Sequence, residues 1–318
     1  MSVLLFTTAS ERFMFSGLQR GILAARILQN GATGRVLAVF ERSIYIDLAD
    51  GIVCIGGVGL TASPLTLIST APETMNWRAS GIRVNDQVSM SSDILNIGAR
   101  FGFRLLETRD WLPDPPRIGW NPVNLARGLV AFRNACTGYV PNEGLGCFIY
   151  QRPDFLVCNV YAKRAQEPIE KLTHWAFEAI RFPERAGPVD PKLIAPLLGL
   201  GPGLTPSGDD FVGGMMIGLC SLGETTLCRN LWVASQPLAI AAGNPIALAH
   251  LAAASEGLAN IALHQTLVAI IEGQIDCLCT LRTAIDRVGH TSGWDGMAGV
   301  VRILQAWLHA RKNSVELI

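Results

Sequence analysis

Two different periodicities divide the chain. In its first half, short β-branched and aromatic runs alternate with polar positions, as in Arg35 to Phe40, Ser43 to Leu48, Ile52 to Ile55 and Leu65 to Ile68. Alternation with period two predicts half-buried strands. Asp50-Gly51 is a hairpin signal between the second and third of them. Ser16 to Leu28 reads as a helix ending near Asn30-Gly31. Asp110 to Pro122, with four prolines and two tryptophans, reads as a long surface crossing. Gly144 to Gly146, Cys147 to Tyr150 and Phe155 to Tyr161 suggest a further hairpin, and Ile169 to Phe182 a helix.

After a joint at Ala186-Gly187-Pro188 the pattern changes to long Ala/Leu/Ile-rich segments broken by Gly, Asn and Pro. Helices are expected near 190–199, 208–222, 226–242, 245–258, 260–272, 274–288 and 295–311. Gly223, Gly243-Asn244-Pro245 and Gly273 act as stops. The fold class is therefore α+β: a strand-rich N-terminal half followed by a mostly α-helical C-terminal half. The expected domains are 1–187 and 188–318.

Composition narrows the class. Of the 318 residues, 49% are hydrophobic and 16% charged, with 26 bases against 26 acids. That balance argues against a broad basic face for nucleic acid. The longest apolar run, Phe211 to Leu222, falls short of the ~18 residues a membrane span needs and follows two aspartates directly. The start of the chain lacks the basic lead of a signal peptide. A soluble, cytoplasmic protein is expected. The eight cysteines have no zinc-type spacing and read as small core residues.

The candidate chemistry lies in one local pattern that occurs twice. Ser207-Gly208-Asp209-Asp210-Phe211-Val212-Gly213-Gly214 and Ser292-Gly293-Trp294-Asp295-Gly296-Met297-Ala298-Gly299 both read Ser-Gly-x-Asp-x-x-x-Gly. Each follows a turn and precedes an apolar run of helical length. A small hydroxyl, a glycine and an acid at a helix entrance can cap the helix or hold an anion. In the first, Pro202 and Pro206 stiffen the loop while Gly201, Gly203 and Gly208 permit close backbone approach. Ser207 is the expected N-cap, with Thr205 beside it. The plainer reading is that Ser207 caps and the acids complement the helix dipole.

The loop is longer and richer in glycine than a cap needs, so a site is expected there. Because Asp209 and Asp210 would repel a bare anion, two roles fit them: coordinating Mg²⁺ beside a phosphate, or accepting hydrogen bonds from an amide or ureido group. At the second entrance His290 is a candidate to orient or protonate a substrate oxygen, with Asp295 as a further catalytic acid. Thr291, Ser292 and Gly293 are candidate binding groups, and Trp294 a wall or a core residue. Two such entrances could form one composite pocket. No Gly-x-Ser-x-Gly, Walker loop, His-Glu-x-x-His or dinucleotide fingerprint occurs, and Gly56-Gly57-Val58-Gly59 is not clearly followed by a helix.

Gly199 to Phe211 together with Gly289 to Asp295 resembles the bacterial AllH-like family, long known as a putative carboxylase of unknown function. The likeness extends more weakly over most of the chain. It implies a subunit of an oxamate carbamoyltransferase in purine and allantoin breakdown, converting oxalurate and phosphate into oxamate and carbamoyl phosphate. It also implies two partners, an acyl-CoA-synthetase-like subunit and a further subunit. The alternatives are a non-catalytic accessory subunit and a stand-alone carboxylase, lyase or hydrolase acting on a small carboxylate.

Overall fold

The computed structural model describes residues 12–150 and 159–315, and side chains as far as residue 311. Two compact units divide between Leu112 and Pro113. The expected boundary at 187/188 lies 75 residues later, inside the second unit. The difference has a physical cause: residues 122–136 and 160–181 are helices whose apolar faces pack among the later helices.

The first unit is a strand-rich barrel. Its strands are β1 (Phe13–Gly21), β2 (Thr33–Val39), β3 (Ser43–Leu48), β4 (Gly51–Gly56), β5 (Thr66–Ser69), β6 (Gln87–Ser91), β7 (Ile94–Ile97), β8 (Phe101–Arg104) and β9 (Arg109–Trp111). The sheet order β5-β4-β3-β2-β6-β7-β8-β1-β9 closes on itself because β1 also pairs with β5. Closure leaves few free edges. The alternation read from β3 is observed: Ile44, Ile46 and Leu48 are buried while Ser43, Tyr45 and Asp47 are not. β3 and β4 form the expected hairpin, with Leu48 opposite Gly51. The turn itself is Ala49-Asp50, and Gly51 opens the next strand.

The helix expected from Ser16 to Leu28 is strand in its first half. β1 runs to Gly21, and only α1 (Ile22–Ile27) is helical. Main-chain pairing on both edges of β1, with β5, β8 and β9, outweighs local helix preference. The core of this unit is built by Trp77, Phe103, Ile44, Ile46, Ile55, Leu67, Leu95 and Ile97.

The second unit is helical: α2 (Pro122–Cys136), α3 (Val160–Arg181), α4 (Pro191–Ile194), α5 (Ser207–Ser221), α6 (Thr225–Ala241), α7 (Pro245–Ser255), α8 (Ile261–Glu272), α9 (Leu278–Asp286) and α10 (Ser292–Val315). Asn121, Asn159, Asn244 and Asn260 cap α2, α3, α7 and α8 by accepting main-chain N–H bonds. The expected hairpin at 144–161 is not formed among the described residues. Gly146–Ile149 is a 3₁₀ turn, and Val160-Tyr161 begins α3; residues 151–158 lie outside the described set. The helix expected over 190–199 is only the four residues of α4 followed by turns.

The α5/α10 pair lies at the centre, its contact made by glycines. A Cβ on Gly214 would stand 2.0 Å from the Gly296 carbonyl oxygen, and one on Gly299 would stand 2.0 Å from that of Phe211. The two backbones therefore touch, and Phe211, Val212, Met215, Met297, Val300 and Val301 fill the space around them. Among the described residues no helix is long and apolar enough to cross a membrane.

Candidate functional site

Because α5 and α10 cross near their starts, the two Ser-Gly-x-Asp entrances meet. The Thr205 and Ser292 hydroxyls are 2.9 Å apart. Ser207 is the first residue of α5 rather than its cap. Pro206 occupies the cap position, and its carbonyl accepts the Asp210 N–H. The loop ahead is shaped by glycine. Gly201 has φ +117°, and a Cβ there would meet the Ser207 nitrogen at 2.8 Å. Gly208 passes so close to Leu197 that a Cβ would lie 1.8 Å from its carbonyl oxygen.

The three acids take different places. Asp209 is buried, and its Oδ2 accepts the Gly199 N–H at 2.6 Å, which ties the loop to the helix start. Burial pushes its carboxyl up to about 6 despite that bond. Asp295 is fully buried, and its Oδ1 accepts the Leu145 N–H at 2.5 Å. Its carboxyl is also pushed up to about 6, first by burial, with main-chain and hydroxyl groups offsetting part of the rise.

Asp210 is raised well above the usual carboxylate range, first by burial and then by the nearby charge of Asp295. The Ser292 and Thr205 hydroxyls stand close enough to offset part of this. The Oδ2 atoms of both Asp210 and Asp295 are closed to solvent without a hydrogen-bond partner. A buried carboxyl oxygen left without a donor is costly. Sharing a proton, or meeting a ligand N–H, would offset that cost.

Asp209 and Asp210 do not form the convergent pair expected for Mg²⁺, because Asp209 is turned to Gly199. Among the described residues no group of three or more His, Cys, Asp or Glu is suited to a metal. His290 is exposed on the rim, its Nδ1 3.4 Å from Glu143 Oε2. Trp294 is a core residue: it is buried, and its indole N–H donates to Asp286. Gly293 lets α10 begin against the end of α9, where a Cβ would lie 2.3 Å from the Ile285 carbonyl oxygen. Gly203, at φ +95°, has open space around it, and Thr291 sits beside Asp295.

Sequence reading missed the third wall of this site. Gly144 and Leu145 face Asp295, and a Cβ on Gly144 would fall 2.5 Å from Asp295 Oδ1. Asn159 fixes that loop: while capping α3 it donates to the carbonyls of Gly144, at 2.6 Å, and Asn142, at 2.9 Å. The only local signals were the Asn before a helix and the Gly-Leu-Gly turn.

The comparisons agree with this architecture. Residues 197–304, which contain both entrances, match the family described as oxamate carbamoyltransferase subunit AllH. Residues 14–110, the barrel, match the AllH family N-terminal domain. No curated protein and no solved structure matches the chain. With two family matches covering most of its length, one on each compact unit, this chain belongs to the AllH family.

Proposed function

We propose that this chain is a working subunit of a carbamoyltransferase that moves a carbamoyl group between oxalurate and phosphate, and that Asp210 and Asp295 serve the transfer. Family membership supports the subunit role. The observation carrying the chemical part is the acid pair itself: buried Asp295 beside half-buried Asp210, each with a solvent-closed Oδ2 lacking a partner.

In the proposed reaction a phosphate oxygen attacks the carbamoyl carbon, forming a C–O bond. The C–N bond to the oxamate nitrogen breaks, and that nitrogen needs a proton. A carboxyl raised by burial holds its proton to higher pH than usual, and Asp210 is the proton donor in this reading. Its neighbour, when ionised, can accept the ureido N–H or the proton that the attacking phosphate gives up. The hydroxyls of Thr205 and Ser292 are suited to orienting the group. His290, on the rim, is suited to guiding an anion inward rather than to proton transfer at the pair.

An accessory role without catalysis is the second reading, favoured by the complete burial of Asp295 and by the structural duty of Asp209. In either reading the partners expected are an acyl-CoA-synthetase-like subunit and a further subunit. The test is reconstitution. With oxalurate and phosphate supplied, the partner subunits should form carbamoyl phosphate only when this chain is added. Unchanged formation without it would refute the assignment.

A further inference from the structure

The second unit contains a cavity of about 590 Å³ lined by Arg133, Asn134, Thr137, Asn142, Cys147 and Tyr150 among others. Arg133 comes from α2, and its Nε is closed to solvent without a hydrogen-bond partner. Arg302, on α10, is in the same condition, with its guanidinium carbon 5.6 Å from the Phe148 ring centre. Neither forms an ion pair among the described residues, although Glu170 is near enough to Arg302 to favour its charge.

Burial lowers both guanidiniums from the usual arginine range, and the charge of Arg133 also lowers Arg302. Bringing like charges together in a half-buried place is unfavourable unless an anion joins them. Arginine remains charged in a protein, so the imbalance is not relieved by losing a proton. The walls add what an oxyanion needs: two side-chain amides, a threonine hydroxyl and the planar arginine fork. Tyr150 donates its hydroxyl to the Arg133 carbonyl at 3.2 Å, which ties the 3₁₀ turn to α2.

We propose that the cavity at Arg133 is a binding site for a small oxyanion, a phosphate or a carboxylate group. The cavity is several times the size of a bare phosphate, so it suits an anion carrying an organic group. Its position also matters. Leu145 donates to Asp295, and Cys147, two residues on, lines the cavity and feels the charge of Asp295. The proposal does not depend on carbamoyl transfer, because it is tested by direct binding and not by turnover.

The experiment is isothermal titration of the full chain with inorganic phosphate and, separately, with malonate. Saturable binding of at least one is expected, and whichever binds tighter identifies the group. Arg133→Gln should weaken it by roughly tenfold or more, whereas Arg133→Lys should keep part of it and Arg83→Gln, exposed in the barrel, should leave it unchanged. Circular dichroism checks the fold. Should Arg133→Gln fail to fold, Asn134→Leu on the exposed wall gives the same reading. Absence of saturable binding by either anion, or wild-type binding in the wall variants, overturns the site. Failure here would leave the acid-pair reading untouched, and the reverse holds too.

Discussion

The Thr205 and Ser292 hydroxyls meet at 2.9 Å across 87 residues of sequence, joining the loop before α5 to the first residue of α10. If that contact couples the two entrances, replacements on either side are not independent. Thr205→Val and Ser292→Ala should each cost about 1 kcal/mol in urea unfolding, and their effects should fall short of additive by about 0.5–1 kcal/mol. Strict additivity would mean that the hydroxyls do not bond.

Glycine at the α5/α10 crossing should be required only where backbones touch. Gly214→Ala and Gly299→Ala place a Cβ 2.0 Å from a carbonyl oxygen, and each should destabilise by about 2–4 kcal/mol or prevent folding. Gly213→Ala makes a useful contrast, since its Cβ would meet that of Ala254 at an ordinary 3.4 Å. There, better helix propensity should stabilise by up to about 1 kcal/mol. Equal effects at the three positions, measured by denaturant midpoint, would contradict the crossing.

The third wall makes a separate prediction. Gly144 has φ +68° and faces Asp295 Oδ1. Gly144→Ala combines left-handed strain with displacement of the carboxyl and should cost about 2–4 kcal/mol. Gly203→Ala shares the positive φ but has open space around it, so about 1 kcal/mol is expected. Thermal unfolding separates the two.

The raised carboxyls give the site a pH signature. A carboxyl whose folded pKa exceeds its unfolded value binds protons more tightly when folded. Asp295, at about 6 against an ordinary value of 3.8, therefore stabilises most below the unfolded value. That stability is lost as pH rises from about 4 through about 6. The size is on the order of 2 kcal/mol. Asp295→Asn should flatten this part of the stability profile relative to the native chain. Parallel profiles from pH 4 to 7 would show that Asp295 is not raised.

How far these features were legible in sequence depends on how local their causes are. The strands β2 to β5 and the helices α5 to α8 followed from periodicity and from stops such as Gly223 and Gly273, because each element carries its own apolar face. β1 was misread because its state is decided by strands distant in sequence. α2 was hidden behind a Pro-rich stretch in which Pro122 in fact opens a helix capped by Asn121. The two entrances and their acids were visible as a repeated motif. That Asp209 would turn to Gly199, that Trp294 would be core, and that Gly144, Leu145 and Asn159 would close the site were not, since those contacts span the fold. The 2.7 Å approach of the Cys220 and Cys228 thiols was likewise invisible in spacing.

The most direct measurement is the rate of carbamoyl phosphate formation by the reconstituted complex carrying Asp210→Asn, with Asp209→Asn as the comparison. The account predicts that Asp210→Asn folds and assembles yet loses about 100-fold or more in kcat, whereas Asp209→Asn loses stability before it loses turnover. Native kcat in a folded, assembled Asp210→Asn complex would contradict it.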